Sequence, residues 1–211
     1  MESIAAVRAL INRFSVSQIP MPRIGLFGGS FDPVHFGHLL VAQAAREECQ
    51  LDRLFFIPAA QSPFKLEASL APASERLRLL RLALAGQSSC AVDEQEILRG
   101  GISYTIDTVR DYIRRFPTGK FFYLIGADHV QQLPRWRDAP ELARLVEFLI
   151  IPRPGEMQRP LPEPFQGRPL KGFPLGVSAS QIRERVRGGL PIDLLVPRTV
   201  AEAIHNNRLY L

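Results

Sequence analysis

The strongest limit on how this chain folds is a repeated alternation of short apolar runs with breaker-poor, helix-favouring segments. RIGLF (23–27) is an apolar run that ends in two glycines, and HLLVAQAAREECQ (38–50) follows it with good helix formers. RLFFIP (53–58) is a second run, stopped by Pro58. ASERLRLLRLALAG (73–86) then reads as a helix, with Ser74 near its N-cap and Gly86 past its end. SCAVD (89–93), KFFYLIGAD (120–128) and EFLIIP (147–152) read as further strands, the middle one ending in a glycine turn. TIDTVRDYIRRF (105–116) and ELARLV (141–146) are the helices between them. Strand and helix in turn predict a parallel sheet joined by right-handed crossovers. Ligands of such sheets sit beyond the carboxyl ends of the strands.

The remaining segments are less regular. The stretch 152–169 has six prolines and no apolar period, which predicts a surface connection with stiff, extended pieces. LKGFPLG (170–176) is read as a last strand, VSASQIRERVRGG (177–189) as a capped helix ending at two glycines, and VPRTVAEAIHNNRLY (196–210) as a closing helix. Ile4, Val7, Leu10, Ile11 and Phe14 stand at helical spacing before the first strand, in a segment interrupted by Arg8 and Arg13 that lacks the unbroken apolar stretch of a signal peptide. The fold class expected is α/β: a Rossmann-like, doubly wound parallel sheet with helices on both faces and a C-terminal helical part. With 211 residues and 46% hydrophobic content, one sizeable core is expected. The division expected is an N-terminal extension over 1–22 and a single domain over 23–211.

Charge narrows the partners. The net charge of +5 is modest and spread along the chain, which suits a phosphorylated substrate. No basic cluster interleaved with aromatics argues for nucleic acid, and no apolar stretch is long enough to span a membrane. Cys49 and Cys90 are expected to be reduced core residues of a cytosolic protein.

The densest chemistry lies in GGSFDPVHFGH (28–38), directly after the first strand. A metal site there would need more ligands than His35 and His38, and His129, His205 and the cysteines fit no ligand spacing. Neither the P-loop nor the dinucleotide glycine pattern is present. A glycine pair still exposes backbone N–H groups, and a helix starting near Gly37 offers a positive dipole end. Two imidazoles there can each donate to a phosphate oxygen, with Gly37 removing a side chain that would crowd a polyphosphate. A bare turn would need the glycines but not the histidine pair, so a phosphate site explains the composition best.

G-G-S-F-D-P-V-H-x-G-H resembles the signature of the nucleotidyltransferase superfamily with the H-x-G-H motif. SYTIDT (103–108), LIGAD (124–128), Trp136, RPG (153–155), SASQIR (178–183) and the VP…NRLY ending stand in the order seen in the bacterial nicotinate-nucleotide adenylyltransferase family. The resemblance covers residues 23 to 211. Two positions depart from it. Pro63-Phe64-Lys65 stands where the family has Pro-His-Lys, and Ser178-Ala179-Ser180 where it has Ser-Ser-Thr.

The resemblance implies a cytoplasmic enzyme that joins ATP to nicotinate mononucleotide, with Mg²⁺ arriving on the ATP and no dedicated protein ligand for it. It implies His35, His38, Lys65 and Arg183 as the catalytic groups. ATP would be bound by Gly28, Gly29, Ser30, Phe31, His38, Gly126, Asp128, Ser178, Ser180, Ile182 and Arg183. The mononucleotide would meet Lys65, Tyr104, Thr105, Asp107 and Trp136. Plainer readings stand beside several of these. Arg183 and Lys65 could be solvated charges, Asp32 and Asp128 turn formers, Asp107 a helix-dipole partner and Trp136 a core residue. An enzyme of the same superfamily using the nicotinamide nucleotide, and a nucleotide-sensing protein without chemistry, are the rival functions. Oligomeric state is not readable from the sequence.

Overall fold

The structure is a computed structural model that describes residues 21–63, 70–152, 160–173 and 175–211. The apolar positions of segment 1–20, Phe64, Lys65 and RPG (153–155) lie outside the described residues. Six strands form one parallel sheet: β1 (Arg23–Gly29), β2 (Arg53–Pro58), β3 (Cys90–Val92), β4 (Lys120–Gly126), β5 (Glu147–Ile151) and β6 (Gly167–Pro169). Their order across the sheet is β3-β2-β1-β4-β5-β6, with Leu26 opposite Phe55 on one side and Tyr123 on the other. The chain thus leaves β1 in one direction across the sheet and returns to its other side at β4, which creates a crevice between the ends of those strands.

Period-two alternation explains why both faces are covered. Phe27, Leu54, Phe56, Phe122, Leu124 and Leu149 point to one side. There they meet α1 (Phe36–Cys49), α2 (Ala73–Ala83), α6 (Ala179–Arg187) and α7 (Arg198–Asn206). Ile24, Leu26, Phe55, Ile57, Tyr123 and Ile125 point to the other. They pack on α4 (Thr105–Arg115), α5 (Ala139–Leu145) and a 3-10 helix, Ala127–Arg135. Each fully buried Leu or Phe, such as Leu54, Phe56 and Phe122, contributes about 1.5–3 kcal/mol relative to exposure. The predicted α/β doubly wound sheet is therefore the observed one. Both cysteines are unpaired, Cys49 buried and Cys90 half-buried.

Four segments differ from expectation. The last strand is Gly167–Pro169, and the described residues of 170–176 are not part of a strand. It carries no apolar pattern because it is a fully exposed edge held by backbone pairing to Phe148–Ile150. Gly167 is required there, since a Cβ would run into the Phe148 carbonyl. Among its described residues, the stretch expected to be a surface connection buries one, Phe165, edge-on against Phe148 at 5.6 Å. The turn predicted at the end of β4 continues into the 3-10 helix, and a short helix, α3 (Gln95–Arg99), lies between β3 and α4.

Candidate active site

The C-terminal end of β1 runs into a tight turn before α1. Phe31 takes a left-handed backbone conformation, φ 48°. For a bulky residue that costs about 1–3 kcal/mol and is tolerated only where the surroundings hold it. The Phe31 ring does so, buried against Phe27 at 5.4 Å and Phe56 at 5.5 Å, with the His38 ring at 5.0 Å. The buried guanidinium of Arg76, in α2, fixes the turn from behind. Its Nη1 donates to the carbonyls of Ser30 and Ala59, each at 2.8 Å, and its Nε to that of Ala71 at 3.2 Å.

His35 is the residue before α1, and its N–H donates to Nδ1 of His38 at 3.3 Å. The two rings stack, centroids 3.7 Å apart and 27° between planes. Burial lowers the His35 pKa to about 4, so this ring is neutral at neutral pH and one nitrogen remains a donor. Gly37 is needed for that arrangement. A Cβ there would lie 3.0 Å from the His35 ring and 3.2 Å from Val177. The glycine thus makes room for the imidazole, a more local reason than the crowding of a polyphosphate inferred from the sequence.

A cleft of about 980 Å³ opens beside the rings at the strand ends. Gly29, Ser30 and Phe31 line one part, Gly126 and Asp128 another, and Ser178, Ser180 and Arg183 a third. Arg183 stands one turn into α6. Its Nη1 donates to the Asp32 carbonyl at 2.7 Å and its Nη2 to Ser180 Oγ at 3.2 Å. Ser178 is the N-cap of the same helix, its Oγ accepting from the Gln181 N–H at 3.3 Å. Ile182 is fully buried, so its side chain anchors α6 and does not face the cleft.

The other expected residues gather on the opposite side of the crevice. Tyr123 Oη receives the Thr105 hydroxyl at 3.3 Å, lies edge-on to Trp136 at 6.1 Å, and occupies the space a Cβ on Gly28 would need. Tyr104 lies under the Arg137 guanidinium at 4.8 Å. Asp107 pairs with Arg110 at 3.7 Å and Arg137 at 3.5 Å in the first turn of α4. Trp136 is half-buried, its edge contacts with Tyr123 and Phe148 placing it between a core and a loop residue. Behind this group Glu96 is buried. It accepts from Thr108 at 2.6 Å, and burial raises its pKa.

Sequence reasoning missed Arg76, Glu96 and the apolar cleft wall of Phe173 and Leu175, and weighed His129, which also lines the cleft, only as a metal ligand. Arg76 did carry a signal. It shares the buried arc of α2 with Leu80 and Ala83, and a cation on an apolar stripe asks for buried acceptors.

Residues 26–185 match the Cytidylyltransferase-like family. The chain is 40% identical over 191 residues to the "Probable nicotinate-nucleotide adenylyltransferase" of Opitutus terrae, covering 89% of this chain and 97% of that one. It is 41% identical over 194 residues to the protein of the same name from Shouchella clausii, covering 90% and 97%. Its fold is similar to that of Plasmodium falciparum nicotinic acid mononucleotide adenylyltransferase complexed with NaAD. That match has a TM-score of 0.73 at 17% identity and covers 90% of this chain and 97% of the other.

Proposed function

The chain belongs to the nicotinate-nucleotide adenylyltransferase family of cytidylyltransferase-like proteins, and on that premise we propose that it joins ATP to nicotinate mononucleotide. The products are deamido-NAD and pyrophosphate, a step of NAD biosynthesis carried out in the cytoplasm. The observation that carries the reading is the stacked His35–His38 pair, which shares one cleft with Gly29, Ser30 and Arg183.

A phosphate oxygen of the mononucleotide attacks the α-phosphorus of ATP. A new P–O bond forms, the α–β bridging bond breaks, and pyrophosphate leaves with that electron pair. The attacking phosphate is already anionic, so neither a protein nucleophile nor a strong base is required. What the protein supplies is position and charge stabilisation. His35 and His38 donate N–H groups to the reacting phosphate oxygens. Arg183 holds the β- and γ-phosphates, with Ser180, the Ser178 N-cap and the start of α6 beside it. Gly29, Ser30 and Phe31 bring backbone close to the phosphates, and Gly126 and Asp128 hold the ribose. Lys65 guides a phosphate from the connection after β2.

The residues around Tyr123 take the second nucleotide. Backbone N–H groups at Tyr104 and Thr105, at the N-terminus of α4, receive the pyridine carboxylate, and Trp136 stacks on the ring. Asp107 orients Arg110 and Arg137 near that end. No cluster of three or more His, Cys, Asp or Glu side chains suited to a metal occurs among the described residues. Mg²⁺ would arrive on ATP and would supply charge neutralisation to the departing pyrophosphate.

The test is pyrophosphate release from ATP with either nicotinate or nicotinamide mononucleotide. Faster turnover of the nicotinate form is expected, and His38→Ala should lower it by roughly 10² or more. Preference for the amide would move the chain to the rival substrate. Release with neither would leave a nucleotide sensor.

A further inference from the structure

Segment 207–211, beyond α7, carries two residues in the left-handed region, Arg208 at φ 50° and Tyr210 at φ 68°. Side chains with a Cβ adopt that backbone at a cost of roughly 1–2 kcal/mol each. This course carries Tyr210 to the turn after β1. The Tyr210 hydroxyl donates to Oδ1 of Asp32 at 2.8 Å.

Asp32 is an acid almost wholly withdrawn from water, 1% exposed, on the turn between β1 and α1. Oδ1 also accepts from the Ala71 N–H at 3.2 Å. Oδ2 has no hydrogen-bond partner among the described residues. It lies 3.7 Å from Nη1 of Arg183, the same nitrogen that donates to the Asp32 main-chain carbonyl at 2.7 Å. The other nearby cation, Arg76, directs Nη1 to the Ser30 and Ala59 carbonyls and Nε to that of Ala71. A buried carboxylate with one vacant oxygen beside a guanidinium is a strong competitor for that guanidinium.

We propose that Tyr210 is a positioning residue. By occupying Oδ1 of Asp32 it holds the carboxylate out of a two-pronged ion pair with Arg183, and so keeps Arg183 available to the ATP triphosphate. Arg183 then rests on one carbonyl and one serine hydroxyl, both easily exchanged for phosphate oxygens. Burial, and then the adjacent Asp32 carboxylate, raise the Tyr210 pKa well above its ordinary value, so the hydroxyl stays a donor throughout the working pH range. Without it, Oδ1 keeps only the longer bond from the Ala71 N–H at 3.2 Å, and Asp32 can turn to close on Arg183 with both oxygens.

The inference rests on the assignment of Arg183 to the triphosphate, and its test needs no turnover. ATP with Mg²⁺ is titrated calorimetrically into the full chain in the absence of the second nucleotide. Tyr210→Phe should weaken ATP binding by about 3- to 10-fold, the span of one hydrogen bond. In an Asp32→Asn background, where no carboxylate can capture Arg183, Tyr210→Phe should have no such effect. The KM for the mononucleotide, measured in steady state, should not move. Unchanged ATP affinity in Tyr210→Phe would overturn the proposal, and so would equal weakening in both backgrounds, which a packing role alone produces. Thermal melts establish that each variant is folded. If Tyr210→Phe is not, Asp32→Asn alone decides: binding as tight as wild type or tighter supports the proposal, and weaker binding refutes it. Wild-type ATP binding without dinucleotide formation would refute the enzymatic reading while leaving this one standing.

Discussion

Burial at His35 sets both what the ring can donate and how the protein responds to acid. The folded-state pKa of about 4 stands below the ordinary value of 6.5 because the ring is desolvated. Between those two values the unfolded chain binds the proton and the folded one does not. Stability from this group is therefore complete above pH 6.5 and falls as pH drops toward 4, by on the order of 3 kcal/mol in total. Denaturant unfolding of wild type and His35→Gln across pH 7 to 4 checks this, with the wild-type curve expected to drop more steeply. Parallel curves would mean that the ring titrates normally in the folded state. The pair itself was legible in the sequence, because two histidines flanking a glycine after a strand exceed what a turn needs. The clearance that Gly37 gives the side chain of Val177 was not, since that residue lies far along the chain.

Elements show a similar division. Helix α2 supplies Arg76 to three carbonyls from three separate segments, so one side chain ties the β1–α1 turn to the end of β2 and to the start of α2. Arg76→Met should destabilise the protein by about 3 kcal/mol, since one buried and two part-buried carbonyls lose their donor. It should also weaken ATP binding through the slackened Ser30 turn. Urea unfolding and ATP titration measure the two effects, and a variant as stable as wild type would remove Arg76 from this role. The long strands and helices were legible from apolar runs and helical spacing. β6 was not, because an exposed three-residue edge has no apolar pattern and follows only from its pairing with β5. The five residues of α3 were too short to show a helical period. The 3-10 helix contains Pro134 and follows a glycine, both of which read as turn signals.

At the scale of the whole molecule, strand order places two groups of side chains on either side of one crevice. β1 lends its glycines to the histidine side through Gly29 and to the tyrosine side through Gly28, whose missing Cβ leaves room for Tyr123. The alternation of strands and helices made the sheet and its ligand end readable. It could not show that SYTIDT and Trp136 would meet at Tyr123, because that meeting depends on β4 lying next to β1. In the proposed reaction two nucleotides face each other across that gap, one held by imidazoles and a guanidinium, the other by the start of α4. A crystal structure with a non-hydrolysable ATP analogue and nicotinate mononucleotide tests this most directly. The triphosphate is expected between the His35–His38 stack and Arg183, with the pyridine carboxylate at the Tyr104–Thr105 backbone. A triphosphate bound away from both imidazoles would contradict it.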